Sequence, residues 1–115
     1  MKTTIYHNPR WGKSRDSVRI LEEKNIDYKI VEYLKTPLTK EELKNIINVL
    51  NIKTHEIVRI SEKDFIDNNL SSVLDDIDKT IDAIIEFPKI LQRPIIINEK
   101  KGVIGRPPEK ILDLL

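Results

Sequence analysis

An α/β fold, with a four-stranded mixed sheet flanked by helices and a helical insertion in its middle, is predicted by three observations. A strand, a helix and a second strand follow one another within the first 33 residues, the order of a parallel crossover. Two helical patterns then fill the middle of the chain. Finally, the hairpin pattern "RPIIINEKKGVIG" precedes one last helical stretch.

Each element follows from local chemistry. Thr3 to Tyr6 is β-branched and aromatic and forms the first strand. The stretch "YHNPRWGKSR" turns through His7-Asn8-Pro9 into a helix that opens near Gly12. This helix covers Ser14 to Asn25, with Val18, Ile20 and Leu21 on its inner face and Asn25 as its stop. Tyr28 to Tyr33 alternates tyrosine with branched residues and forms the second strand. In "PLTKEELKNIINVL", Thr39 and Glu42 make a capping box, Leu38 and Leu43 a hydrophobic staple, and Leu43, Ile46, Ile47 and Leu50 one apolar face. Residues 52 to 70 carry little pattern beyond a short capped turn at Ser61 and Asp64.

The next helix starts near Asp78, turns Ile81, Ile84 and Ile85 inward and ends at Pro88. Asp75, Asp76 and Asp78 lack the glycine and the final glutamate of a calcium loop, and instead favour the N-terminus of this helix. A strand over 94–97, a turn at Asn98 to Gly102 and a short return strand make the hairpin. Pro107 and Pro108 open a last helix with Ile111, Leu112 and Leu115 as its stripe. With no repeat, low-complexity tract or linker, residues 1–115 are expected to form a single domain.

Composition narrows the function. Twenty Lys and Arg oppose 19 Asp and Glu, a net charge of +1, which argues against direct nucleic-acid binding but leaves room for a local basic pocket. The chain has no cysteine, which excludes disulfides, thiolate metal sites and a cysteine nucleophile. His7 and His55 alone do not make a histidine zinc site, so neither a metal nor a cofactor is expected. No apolar run approaches the ~20 residues that span a bilayer, and none follows Met1-Lys2, so a cytoplasmic protein without membrane contact is expected.

The helix start near Gly12 is the strongest chemical signal. Unpaired backbone N–H groups and the helix dipole favour an anion there, and Arg10, Lys13 and Arg15 crowd the same turn. Trp11, in the middle, can stack or pack but cannot act as a nucleophile.

These residues resemble the arsenate reductases of the glutaredoxin-dependent type, which have a thioredoxin-like fold. That family opens on an Ile-Tyr-His-Asn-Pro strand end, a Cys, a Gly or Ser, and a Ser-Arg. Here the segment reads Ile5-Tyr6-His7-Asn8-Pro9-Arg10-Trp11-Gly12-Lys13-Ser14-Arg15. "EYLKTPLTKEEL" is similar to the family's Tyr-Leu-x-x-Pro segment. "FPKILQRPIII" resembles its His-Pro-x-Leu-x-x-Arg-Pro-Ile segment, with Phe87 in place of the His, and "GVIGRPPEKILDLL" its closing Arg-Pro helix. The resemblance runs from the first strand to the last residue.

In the family, three arginines hold the oxyanion and a helix-start cysteine attacks it. By resemblance the arginines fall on Arg59, Arg93 and Arg106, and the cysteine position falls on Trp11. The implied anion site comprises His7, Gly12, Ser14, Arg59, Arg93 and Arg106, with Pro94 cis and its backbone beside Trp11. The expected ligand is a tetrahedral oxyanion: arsenate, sulfate or phosphate. Ser14 is no substitute for the cysteine, because a hydroxyl lacks the oxidation chemistry of sulfur.

Each residue also has a plainer reading. Arg93 could flank an edge strand, Arg106 could simply precede a proline-started helix, and His7 could be an ordinary loop residue. Trp11 either plugs the reaction site or packs at a loop, and His55 belongs to the surface. The expected function is accordingly that of an arsenate-reductase-family protein with an oxyanion pocket and no nucleophilic thiol. It is either silent or supplied with sulfur by glutathione and glutaredoxin. The alternative is a protein-interaction module like the related transcriptional regulators that grip RNA polymerase; anion binding separates the two.

Overall fold

A computed structural model describes residues 2–114. Its four strands, β1 (Thr3–Tyr6), β2 (Tyr28–Val31), β3 (Ile95–Ile97) and β4 (Gly102–Ile104), lie in the order β2-β1-β3-β4. The β1–β2 pair is parallel, and the β1–β3 and β3–β4 pairs are antiparallel, so the expected mixed sheet is present. The parallel pair is linked by helix α1 (Gly12–Glu23), as a crossover requires. Tyr6, at the end of β1, faces Val31 on one side and Ile95 on the other.

Alternation along the strands divides the core. Ile5 and Ile96 point to a smaller cluster with Leu21 of α1 and Ile111. Tyr6, Ile95 and Ile97 point the other way, into a larger cluster under α2 (Lys40–Leu50) and α4 (Ile77–Glu86). Because β3 is buried on both faces, its three consecutive isoleucines need no polar alternation.

The helix boundaries follow their caps. In α2, Thr39 Oγ1 accepts from the Glu42 amide and Glu42 Oε1 accepts from the Thr39 amide, both at 3.1 Å, and Leu38 and Leu43 are buried as the staple requires. Asp76 Oδ1 accepts from the Lys79 amide at 3.0 Å and caps α4, which therefore starts at Ile77. Asn25 and Asn51, just past α1 and α2, adopt left-handed backbone (φ 55° and 53°), which asparagine tolerates better than most residues.

Four expectations need correction. The first helix begins at Gly12 and ends at Glu23, earlier than the Ser14–Asn25 reading. β2 stops at Val31, because the Lys35 and Thr36 amides both donate to Glu32 O at 2.9 Å and turn the chain, which carries Tyr33 into the core. The short helix α3 is Lys63–Asp67; Glu62 rather than Ser61 stands at its start, with no side-chain cap. The last element is a 3₁₀ helix over Pro108–Leu114. With three residues per turn, Ile111 and Leu114 share the inner face, and Leu112 is 45% exposed instead of packed. Leu115, the third residue of the expected stripe, lies outside the described residues. No helix among those residues is long and apolar enough to cross a membrane.

Gly105 joins the two ends of this frame. Its amide donates to Pro94 O at 2.8 Å, and a Cβ there would lie 2.9 Å from both Pro94 Cγ and Ser17 Oγ. Gly105→Ala should therefore overpack the contact and destabilise the protein by about 1–3 kcal/mol. The check is a lower urea midpoint at unchanged denaturant slope.

Candidate functional site

The loop between β1 and α1 is held by its own backbone and by three side chains. The His7 amide extends the parallel pairing by donating to Val31 O at 2.9 Å. Asn8 Oδ1 accepts from the Arg10 amide at 3.1 Å, and Asn8 O accepts from the Trp11 amide at 3.0 Å. Ser14, fully buried, accepts from the Asn8 amide at 3.5 Å, and Arg15 Nη1 donates to Pro9 O at 3.0 Å. Ser14 thus ties the loop to α1. Trp11, at the N-cap of α1, contributes no side-chain acceptor, and the first turn contains no acid. Space is open beside Gly12, where a Cβ would meet only Arg15 Nη2, at 3.7 Å. The helix start keeps its positive end without an internal counter-charge.

A second segment brings the arginines. Val58 and Leu91 form an isolated antiparallel bridge, in which the Arg59 amide donates to Ile90 O at 2.6 Å and the Gln92 amide to Ile57 O at 2.8 Å. That bridge sets Arg59 beside Arg93. Arg93 precedes a cis Pro94, as expected, and Arg106 precedes a cis Pro107, which was not anticipated. The Arg93 guanidinium stacks on the Trp11 ring with its carbon 3.4 Å from the ring centroid, and that of Arg59 lies 5.1 Å from the same centroid. Arg93 is only 5% exposed, its Nε has no hydrogen-bond partner, and no carboxylate among the described residues pairs with it. Arg59 differs: its Nη1 meets Glu62 Oε2 at 2.7 Å and also donates to Lys89 O at 3.3 Å.

Burial lowers the Arg93 pKa below the usual arginine range, and the Arg59 charge lowers it further. Burial also raises the pKa of the Tyr33 hydroxyl, which faces Arg93 and has no hydrogen-bond partner. Tyr33 and Glu62 belong to this cluster yet were not among the residues expected there. Glu62 stands three residues after Arg59, a spacing that signals a pair only inside a turn or helix, and the segment offered no such pattern.

The other expected residues are placed as follows. Arg106 is exposed and lines an open groove with Arg59, Ser61 and Gln92, on the rim of the cluster. His7 is buried but borders a separate hollow with Pro9, Arg10, Glu32 and Lys35. Trp11, Arg59 and Arg93 are brought together, whereas His7 and Ser14 hold the loop beside them. Chemically, the arrangement offers guanidinium N–H donors, a helix start and an aromatic face, and no nucleophile.

Comparison with known proteins places this geometry. The model of the ArsC family matches residues 6–114. An arsenate reductase of Neisseria meningitidis serogroup A is 37% identical over 108 residues, 93% of this chain and 92% of that protein. An arsenate reductase of Haemophilus influenzae is 35% identical over 116 residues and is covered in full, as is this chain. Among solved structures, an arsenate reductase from Vibrio cholerae superposes with a TM-score of 0.94 at 34% identity, covering 100% of this chain and 98% of that one. The fold is therefore thioredoxin-like, as in those structures.

The buried loop histidine generates a test. Burial lowers the pKa of His7 and the Arg15 charge acts in the same direction, against an opposing pull from Glu32. The unfolded chain, in which histidine titrates near ~6.5, binds the proton first, so stability rises with pH through this window. The contribution is complete above the unfolded pKa and is lost as pH falls through the lower folded value. Urea midpoints measured from pH 7.5 down to 5 should fall more steeply for the wild type than for His7→Phe.

Proposed function

We propose that this chain, which belongs to the ArsC family, binds a tetrahedral oxyanion at the start of α1 but supplies no thiol chemistry of its own. The carrying observation is Arg93, a buried guanidinium with which no carboxylate among the described residues forms an ion pair. An uncompensated buried charge costs several kcal/mol, and an anion lodged between Arg93, Arg59 and the α1 amides would compensate it. Arsenate, sulfate and phosphate all have the required acceptor geometry.

The missing thiol follows from the sequence, which has no cysteine at residue 11 or elsewhere. A reduction by the family's route would need sulfur brought from outside, as by glutathione with glutaredoxin. A second reading has support of its own: Ile60 and Ile66 are both largely exposed beside Arg59 and α3, which suits docking to a protein. A docking module has no need of anion binding.

Trp11 is the only tryptophan, so its fluorescence reports on the ring above Arg93. Titration with sodium sulfate at constant ionic strength should give a saturable change that Arg93→Ala abolishes. No saturable change in the wild type would sink the oxyanion reading and favour the docking one.

A complementary variant, Trp11→Cys, tests the helix start directly. Its thiol should titrate below the ordinary ~8.5, because the dipole and both arginines favour the thiolate. At pH 7 iodoacetamide should modify it faster than the thiol of a Lys29→Cys control on the exposed β2 edge. Equal rates would mean that the helix start no longer favours negative charge.

A further inference from the structure

The pair between Arg59 and Glu62 stands apart from the other ion pairs. Its side chains are 13% and 21% exposed, whereas every other pair among the described residues has both partners at 37% or more. The carboxylate is placed by the backbone: the Glu62 amide donates to Arg59 O at 3.1 Å, and Glu62 O accepts from the Ile66 amide at 3.1 Å. This closed turn returns the glutamate onto the arginine that precedes it by three residues. In such shelter an ion pair is screened weakly, so the carboxylate acts on anything bound beside Arg59.

Charge then limits the ligand. Arg59 and Arg93 meet at the Trp11 ring, and Glu62 offsets one of them. Arg106 and Glu56 both line the groove's exposed rim, where solvent screens them, and Glu56 Oε2 accepts from the Lys53 amide at 3.3 Å. The sheltered part of the site is left with one uncompensated positive charge. A singly charged oxyanion neutralises it. A dianion would leave excess negative charge within reach of the Glu62 carboxylate.

We infer that Glu62 is a specificity-determining residue that shifts this site toward singly charged tetrahedral oxyanions, such as sulfonates and monoanionic phosphate or arsenate, relative to dianions. The inference rests on the oxyanion reading of the site. Glu62 acts by repulsion from a position already occupied on Arg59, and it discriminates by charge between anions of the same shape.

Sulfate and methanesulfonate test this, being tetrahedral sulfur oxyanions of charge −2 and −1. Tryptophan fluorescence titrations at fixed pH and ionic strength would compare wild type, Glu62→Gln and Glu62→Asp, each checked for folding by circular dichroism. Electrostatic free energy scales with ligand charge, so a gain of about threefold for methanesulfonate in Glu62→Gln implies about tenfold for sulfate. Glu62→Asp, which keeps the charge, should keep the wild-type ratio of the two affinities. If both anions bind and Glu62→Gln leaves that ratio unchanged, the charge-selection inference is overturned. If neither anion gives a saturable response in any of the three proteins, the oxyanion reading itself falls and takes the inference with it.

Discussion

The stacking of Arg93 on Trp11 is the contact around which the site is built. A guanidinium this deeply buried needs an opposite charge or a polarisable face, and of the two only the face contacts it directly. A desolvated cation–π contact contributes about 2 kcal/mol, less than the several kcal/mol that burying a charge costs. The shortfall is met only in part from inside the protein, by the Tyr33 hydroxyl and the Glu62 carboxylate, which both favour the charged guanidinium. Glu62 is engaged with Arg59, and the Tyr33 hydroxyl, although it faces Arg93, has no hydrogen-bond partner. The backbone that carries Arg93 is fixed next to β3, where the Gly105 amide donates to Pro94 O at 2.8 Å. An external anion is the most direct way to balance it.

The frame around that contact was largely legible in the sequence because its signals are local. Thr39 and Glu42 announce α2, three isoleucines announce β3, and the β-α-β order announces the parallel pair. The site was legible only through resemblance. Arg59 lies in a stretch with no periodicity, and its position is set by the bridge between Val58 and Leu91, a contact between segments over thirty residues apart. Tyr33 was read as the end of a strand and instead turns into the core after Glu32. Ser14, expected at the anion, spends its acceptor on the Asn8 amide. The C-terminal turn shows the limit of periodicity: a helical stripe was read where a 3₁₀ spacing selects Leu114 over Leu112.

The loop's construction explains how tryptophan can stand at the reactive position of a family that uses cysteine there. The hydrogen bonds that shape residues 7 to 15 come from the backbone or from the side chains of Asn8, Ser14, Arg15 and Ser17; none among them involves the side chain of residue 11. That side chain leaves the N-cap toward the arginines and is 37% exposed, so a large ring fits without overpacking the core. The scaffold and the chemistry are separable at this position. Thiol chemistry can therefore be lost while the positive helix start and the buried arginine stay in place.

The same geometry decides whether the tryptophan blocks the site or shares it. A guanidinium carries its donors in its own plane, whereas an aromatic ring stacked on it occupies a face. At 3.4 Å from the ring centroid, the Arg93 guanidinium carbon is in contact with the Trp11 face. An oxyanion bound as proposed would reach those donors from the guanidinium edge, with the indole left in place. In low dielectric the charge-assisted hydrogen bonds gain strength. On the proposed oxyanion reading, Trp11 is a wall of the site and not its plug.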